Sequence, residues 1–306
     1  MDNRSRIGDL YRVMKCPEYI NFGGDEVPAV DMSQADIVVL PLCYEQAVSY
    51  GTGSKDGPFH ILDASVQLES LDEESLVNWG RFRIHTAAPL IPSGDPETAV
   101  LQMESAAAHV ISQKKFLLSL GGDHAVSIGP IRAAAGQYPD IGVLQFDAHL
   151  DLRDKWNGSR YNHACVMRRV AEDIGVPMVQ VGIRSFSQEE ADYIQLKGLQ
   201  PVFAHLIDPL DQSWVQNVIE ALPQKVYLSI DLDGLDPSVL PGTGTPEPGG
   251  LSYRQLVNLI KAVGRYRTVI AADITELAPI EGSHVSEFTA AKIATKIFVN
   301  CARVDI

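Results

Sequence analysis

The feature that most constrains the fold of this 306-residue chain is a series of short, continuous apolar segments. Each segment is rich in leucine or β-branched residues and is bounded by residues typical of turns. Continuous rather than alternating hydrophobicity is typical of strands that are buried on both faces, as in a parallel sheet. We therefore predict strands at residues 36–40, 116–120, 141–146, 178–181, 201–204, 226–230 and 268–272.

Segments with helical periodicity lie between these strands, at residues 96–113, 164–174, 188–197, 212–221, 251–263 and 287–302. Asp95 followed by Pro96 indicates an N-cap and a first helical residue. Gly264 is predicted to end the helix that begins after Ser252. The alternation of strand and helix favours a three-layer α/β fold.

Neither an internal repeat nor a linker rich in Pro, Gly or Ser divides the sequence, so we predict a single domain over residues 1–306. Residues 1–30 carry no chemical signal and are expected to form an N-terminal extension that packs on the domain or contacts another subunit.

The formal net charge of −14 argues against a nucleic-acid partner or an anionic membrane surface, because both require clustered cations. It suits a small cationic substrate or a bound metal better. The sequence lacks an apolar signal segment and an apolar run long enough to span a bilayer, so a cytoplasmic protein is expected. The cysteines form no CxxC pair, which leaves no thiolate zinc motif.

Polar residues follow four of the predicted strands. The segments are Gly121-Gly122-Asp123-His124, Asp147-Ala148-His149-Leu150-Asp151, Asp231-Leu232-Asp233 and Asp273-Ile274-Thr275-Glu276. Ligands bind beyond the carboxyl ends of the strands in open parallel sheets, so these carboxylates and imidazoles should converge on one rim. So many acids cannot remain ionised together in a partly dry cleft unless cations neutralise them. The pattern therefore predicts a metal centre.

The spacing supports this prediction, because alternate residues of an extended segment point the same way. The side chains of Asp147, His149 and Asp151 can face one centre, and so can those of Asp231 and Asp233. Ligands rich in oxygen and without thiolates are too many for one tetrahedral zinc, and they suit two ions that share carboxylates. Such a site favours manganese or magnesium, and the imidazoles favour manganese.

Each motif alone also has a structural interpretation, as a turn, a helix cap or a hydrogen-bonded loop residue. Only their combination indicates a metal centre. The segment 51–57 resembles a phosphate-binding loop but lacks the GxxxxGK[ST] spacing, so it does not predict nucleotide binding.

With these motifs the chain resembles the ureohydrolase family, which contains arginase, agmatinase and their relatives. The resemblance rests on GGDHAVSIG at 121–129, FDAHLDLRD at 146–154 and SIDLDGLDPSVLPGTGTPEPGGLS at 229–252. It implies the arginase/deacetylase α/β/α sandwich around a parallel sheet of about eight strands. It also implies a homo-trimer or homo-hexamer.

The resemblance implies two Mn²⁺ per chain. One ion would be held by His124, Asp147, Asp151 and Asp231, and the other by Asp147, His149, Asp231 and Asp233. His163 matches the family's proton-shuttling histidine, and Glu276 matches the acid that receives the guanidinium. Asp151 could also orient the nucleophile.

The chemistry agrees with these roles. A guanidinium is stabilised by resonance and needs a strong nucleophile, which a hydroxide that bridges two metal ions provides. The amine product must leave with a proton, which an imidazole can deliver near neutral pH. A carboxylate such as that of Glu276 can accept two parallel N–H bonds from the substrate.

The expected reaction is hydrolysis of agmatine to putrescine and urea, a step of polyamine synthesis. Ala125 and Ala164 depart from the serine and glycine that are common in the family, and this affects substrate choice rather than hydrolysis. N1-aminopropylagmatine, which would give spermidine, is the main alternative.

Arginine is a further alternative, although residues 155–162 do not match the loop by which arginase recognises its substrate. Guanidinobutyrate and formiminoglutamate carry carboxylates and would need a cationic residue such as Arg160, Arg168 or Arg184. A single-zinc enzyme of deacetylase type and a relative that has lost activity are alternatives of other classes.

Overall fold

The computed structural model describes residues 20–46, 49–208 and 210–304. Within them the chain forms a sheet in the order β2-β1-β3-β8-β7-β4-β5-β6, in which every neighbouring pair is parallel. The strands are β1 (Ile37–Leu42), β2 (Ile84–Thr86), β3 (Phe116–Gly121), β4 (Ile141–Phe146), β5 (Met178–Ile183), β6 (Val202–Phe203), β7 (Lys225–Asp231) and β8 (Thr268–Thr275). The sheet has the eight strands that were expected.

The helices cover both faces of this sheet. They are α1 (Gly57–Ser65), α2 (Pro96–Ile111), α3 (Ile128–Gln137), α4 (Val166–Arg169), α5 (Gln188–Lys197), α6 (Ser213–Ala221), α7 (Tyr253–Tyr266) and α8 (Val285–Cys301). Buried side chains of α1, α6, α7 and α8 pack in one apolar core, and those of α2 to α5 pack in a second core on the other side. The three-layer α/β prediction is therefore confirmed.

Some elements differ from the prediction. Strand β2 was not predicted, and neither were helices α1 and α3. The predicted helix at 164–174 is instead a 3-10 turn at His163–Cys165, the short helix α4 and a π-helical turn at Val170–Ile174.

The prediction that Gly264 ends a helix is wrong, because α7 continues to Tyr266. A Cβ atom at position 264 would lie 2.0 Å from the backbone oxygen of Asn300 in α8. The glycine therefore permits a close approach of two helices. The predicted cap at Asp95 is confirmed, since its side chain accepts a hydrogen bond from the Thr98 N–H at 2.8 Å.

The central strands β3, β8, β7 and β4 are neighbours, so their carboxyl ends meet at one edge. Strand β8 extends to Thr275, which places Asp273 inside the sheet rather than at this edge. Residues 1–19 of the predicted N-terminal extension lie outside the described residues. In the remaining part of the extension, Phe22 and Val27 belong to an apolar core. Among the described helices, none combines the length and apolarity that crossing a bilayer requires.

Candidate metal centre

Each of the four central strands delivers a polar side chain to the shared edge of the sheet. His124 opens a 3-10 turn after β3, Asp147 follows β4 directly, Asp231 ends β7, and Glu276 follows β8. His149, Asp151 and Asp233 lie two or four residues further along these segments. The parallel topology thus brings residues that are distant in sequence to one place.

The two imidazoles face carboxylates from different strands. His124 Nδ1 lies 2.8 Å from Asp151 Oδ2, 3.1 Å from Asp147 Oδ2 and 3.4 Å from Asp231 Oδ2. His149 Nδ1 lies 3.0 Å from Asp233 Oδ2 and 3.5 Å from Asp147 Oδ1. Asp147 therefore stands between both histidines, with one oxygen towards each.

These contacts define two groups that could each hold a metal ion. The groups are His124, Asp147 and Asp231, and Asp147, His149 and Asp233, and the ligand atoms in each group lie within 4.8 Å of one another. The six predicted ligands are thus brought together, since Asp151 also contacts His124.

The hydrogen bonds of His124 show that a cation fits this arrangement. Its Nε2 lies 3.0 Å from Ser229 Oγ, and that hydroxyl donates to Asp273 at 2.8 Å. The Ser229 proton is therefore engaged, so Nε2 carries a proton and donates it. His124 Nδ1 is buried and makes no hydrogen bond of acceptable geometry to the described residues, although three carboxylate oxygens surround it. A proton on Nδ1 could not neutralise the charge of three carboxylate oxygens, whereas a divalent cation bound to Nδ1 and to these oxygens can.

The electrostatics of the cluster point the same way. Burial raises the pKa of Asp151 to about 7, and the nearby Asp147 carboxylate adds to this effect. Burial also raises the pKa of Asp231 well above its usual value. Burial opposes protonation of His124, but the Asp147 and Asp151 carboxylates outweigh it and raise the His124 pKa. Without a cation, protons thus occupy the cluster, and metal binding would release them.

Two residues of the cluster have a left-handed backbone. Asp151 has φ 51° and Glu276 has φ 66°, a region that residues other than glycine seldom adopt. Glu276 is held there because its N–H donates to the Gly122 oxygen at 2.8 Å, and its Oε1 accepts from the His124 N–H at 2.7 Å. Such strain persists where surrounding contacts fix it, as they do at functional sites.

A cavity of about 240 Å³ opens above the cluster. Every predicted site residue lines it except Asp147, which lies beneath with no exposed surface. His163 is on its wall, where Nε2 lies 2.9 Å from Ser49 Oγ. The structure therefore places His163, Asp151 and Glu276 around one space.

Several residues of the cavity wall were not predicted. The Arg153 guanidinium lies 4.2 Å from the centre of the Trp156 ring, and both residues line the cavity. Glu190 lines it too and forms a capping box with Ser187 at the start of α5. The position of Arg153 in the cavity wall could have been inferred from spacing, because it lies two residues after Asp151. The sequence pattern around Glu190, S-x-x-E at 187–190, indicates only the start of a helix.

The arginines proposed for a substrate carboxylate lie elsewhere. Arg160 pairs with Asp154 and Asp173, and Arg168 pairs with Glu172. Arg184 donates to several backbone carbonyl oxygens, among them that of Asp233 at 2.6 Å. None of the three arginines lines the cavity.

Comparisons with known proteins agree with this site. The model of the arginase family matches residues 35–299. The chain is 41% identical to the N(1)-aminopropylagmatine ureohydrolase of Synechocystis sp., over 87% of this chain and 89% of that protein. It is 32% identical to the agmatinase of Pyrococcus horikoshii, over 91% and 96% of the two chains.

A solved structure shares the fold. The agmatine ureohydrolase of Thermoplasma volcanium superposes with a TM-score of 0.84 at 27% identity, over 94% of this chain and 96% of that chain. The resemblance seen in the sequence motifs is confirmed. The chain is a hydrolase that acts on guanidino groups, and it belongs to the arginase family of ureohydrolases.

Proposed function

We propose that this protein uses two Mn²⁺ ions to hydrolyse N1-aminopropylagmatine to spermidine and urea. The observation that carries this choice of substrate is the 41% identity to an enzyme named for that reaction, against 32% to an agmatinase. The sequence analysis expected agmatine and kept aminopropylagmatine as its alternative, and the relatives favour that alternative.

The family resemblance supplies the ligand sets, and the two candidate groups contain all of these residues except Asp151 in the first set and Asp231 in the second. His124, Asp147, Asp151 and Asp231 would hold one ion, and Asp147, His149, Asp231 and Asp233 the other. Asp147 and Asp231 would be shared. When bound, the two ions lower the pKa of water so that hydroxide is available near neutral pH.

The other cavity residues bind and orient the substrate. Glu276 carries its carboxylate at the floor of the cavity and accepts N–H bonds from the guanidinium. Asp151 lies beside His124 and is placed to orient the attacking hydroxide by a hydrogen bond. His163, on the wall, gives a proton to the amine that leaves.

The lining of the cavity suits a long apolar chain that carries positive charge. Trp156 and Phe186 provide aromatic surface for methylene groups. The Glu190 carboxylate is buried and accepts only from N–H and O–H groups, with no cationic partner among the described residues. It can therefore accept a hydrogen bond from an ammonium of the tail.

Agmatine is the second candidate, favoured by the agmatinase relatives, because the same site needs only a shorter tail. A substrate with a carboxylate would instead use Arg153, the cavity residue with a cationic side chain in the described part of the chain.

A competition between substrates tests the proposal. Manganese-loaded protein is assayed for urea release from N1-aminopropylagmatine, agmatine, arginine and 4-guanidinobutyrate, and the amine product is identified by chromatography. We expect kcat/KM for N1-aminopropylagmatine to be about tenfold or more above that for agmatine, which corresponds to roughly 1.4 kcal/mol from the extra ammonium. A higher value for agmatine or for 4-guanidinobutyrate would overturn the choice of substrate.

Metal analysis tests the centre separately. We expect two Mn²⁺ per chain after loading and removal of excess metal. One zinc per chain together with no urea release would instead favour the deacetylase-type alternative.

A further inference from the structure

A row of polar side chains crosses the interior of the sheet beneath the metal centre. Its members are Ser119 on β3, Asp273 on β8, Ser229 on β7, Gln145 on β4 and Gln180 on β5, each paired in register with the next. All of them have 3% or less of their surface exposed. We call these five residues the polar row.

The row reaches the centre at His124 through one chain of hydrogen bonds. Tyr227 Oη donates to Asp273 Oδ2 at 2.7 Å, and Ser229 Oγ donates to Asp273 Oδ1 at 2.8 Å. The Ser229 oxygen is then left to accept from His124 Nε2–H at 3.0 Å. The chain thus fixes which ring nitrogen of His124 carries the proton and which faces the carboxylates.

The row reaches the centre again at Asp147. Gln180 Nε2 donates to Gln145 Oε1 at 2.6 Å and to the Leu150 oxygen at 2.8 Å. Gln145 Nε2 donates in turn to Asp147 Oδ2 at 2.6 Å. Asp147 is the carboxylate that stands between both histidines, so this chain orients the shared ligand.

Apolar residues would be the simpler choice for these positions. A polar group in the middle of a buried sheet loses its hydration, and its partners only compensate for that loss. The row includes Asp273, a carboxylate that pairs with no lysine or arginine among the described residues. Both series of hydrogen bonds end on side chains of the candidate metal centre, one on His124 and the other on Asp147.

We propose that the four hydrogen-bonded residues of the polar row, all but Ser119, position the metal ligands from below. Ser229 and Asp273 hold His124 in its metal-binding tautomer, and Gln145, supported by Gln180, orients Asp147. This inference rests on the metal centre of the proposed function. These are positioning residues, since they belong to neither candidate ligand group and do not line the cavity. Partners of this kind commonly change metal affinity by about 10- to 100-fold.

The row offers a matched control. Ser119 is as buried as Ser229 and belongs to the same row, but its Oγ has no hydrogen-bond partner among the described residues. Ser119→Ala and Ser229→Ala therefore remove the same atom from the same layer, and only the second breaks a chain to a ligand.

The experiment measures Mn²⁺ binding to full-length parent protein, Ser229→Ala, Ser119→Ala and Gln145→Leu, by titration with detection of free Mn²⁺ by electron paramagnetic resonance. Melting temperatures of the metal-free proteins show whether each variant is folded. We expect Ser229→Ala and Gln145→Leu to weaken Mn²⁺ binding at one or both sites by about 10- to 100-fold, and Ser119→Ala to bind like the parent. Tyr227→Phe, which keeps the ring and loses one donor to Asp273, should have a smaller effect in the same direction.

Binding by Ser229→Ala within twofold of the parent would overturn the inference. Equal weakening in Ser119→Ala would also overturn it, because the effect would then come from the buried layer in general. A parent that binds no Mn²⁺ would instead refute the proposed metal centre, and this inference with it.

Discussion

The conformation of Glu276 is fixed by hydrogen bonds of its backbone and of its side chain. Its left-handed φ follows from the turn after β8, where its N–H reaches the Gly122 oxygen and its carboxylate reaches the His124 N–H. One carboxylate oxygen is thus occupied within the protein, and the rest of the group lines the cavity. The sequence predicted the residue from a family motif, but spacing could not have predicted this geometry.

Glu276→Gln should separate charge from shape at this position. Glutamine keeps the Oε1 acceptor for the His124 N–H and loses the negative charge that we propose receives the guanidinium. A hydrogen bond to a charged group contributes about 1.5–3 kcal/mol, so we expect kcat/KM to fall roughly 10- to 150-fold. Metal content, measured on the same samples, should remain at two Mn²⁺ per chain. Unchanged kcat/KM would show that the guanidinium is bound elsewhere.

His163→Ala tests the proposed proton donor. His163 lines the cavity and contacts Ser49, and no metal-ligand group in the described residues includes it. We expect kcat to fall by about 10²- to 10⁴-fold while both metal ions are retained. His109→Ala, at an exposed position of α2, is the matched control and should leave kcat unchanged. Loss of manganese from His163→Ala would mean that His163 has a different role.

At the scale of elements, the sequence predicted the long apolar strands well because burial on both faces leaves an unbroken apolar signal. It missed β2, since this strand is three residues long at the sheet edge and includes the half-buried His85. It misjudged Gly264 because a glycine that permits helix contact is indistinguishable in sequence from one that ends a helix. Only the position of Asn300 in the folded chain distinguishes the two.

Helix α8 is fixed to the rest of the molecule by a buried ammonium. Lys296 has no exposed surface, and its Nζ contacts Asp72, Glu73 at 2.9 Å and Glu74 at 3.5 Å. Lys296→Met would leave the buried Asp72 carboxylate without a counter-charge, so we expect the free energy of unfolding to fall by about 3–5 kcal/mol in urea denaturation. Lys292→Met is the control. Lys292 is partly exposed and lies 3.4 Å from Glu73, so its loss should cost less than about 1 kcal/mol.

This ion pair also predicts a dependence on pH. Burial alone would raise the pKa of Asp72, but hydrogen bonds from Lys296 and Ser75 outweigh burial and lower the pKa from 3.8 to about 2. A carboxyl with a lowered folded-state pKa stabilises the fold above its unfolded pKa, and this contribution is lost as the pH falls through the folded value. The difference in unfolding free energy between the parent and Lys296→Met should therefore shrink between about pH 5 and about pH 2. A difference that stays constant over this range would contradict the assignment.

At the scale of the whole molecule, the parallel topology explains why the convergence of the candidate ligands could be predicted and the rest of the cavity could not. Ligands at strand ends are adjacent in any sheet that places β3, β8, β7 and β4 together, so their identity follows from local sequence. The cavity wall brings together Ser49, Trp156 and Thr245 from three separate loops and Glu190 from the start of α5. Their approach depends on the paths of these loops, which no local sequence pattern predicts.

The same convergence predicts that the stability of the whole molecule depends on metal. Carboxylates from separate strands repel one another in the metal-free protein, and an ion that binds only the folded chain stabilises it by RT ln(1 + [L]/Kd). Free Mn²⁺ at a hundredfold excess over Kd should therefore raise the free energy of unfolding by about 2.7 kcal/mol for each site, and EDTA should reverse the gain. Asp233→Asn removes a proposed ligand of one site, so its gain in unfolding free energy should be smaller by the contribution of that site. Asp192→Asn, at an exposed position of α5, is the control and should respond to Mn²⁺ like the parent. An unfolding free energy that does not change with Mn²⁺ would contradict the proposal that manganese joins the acids at this edge.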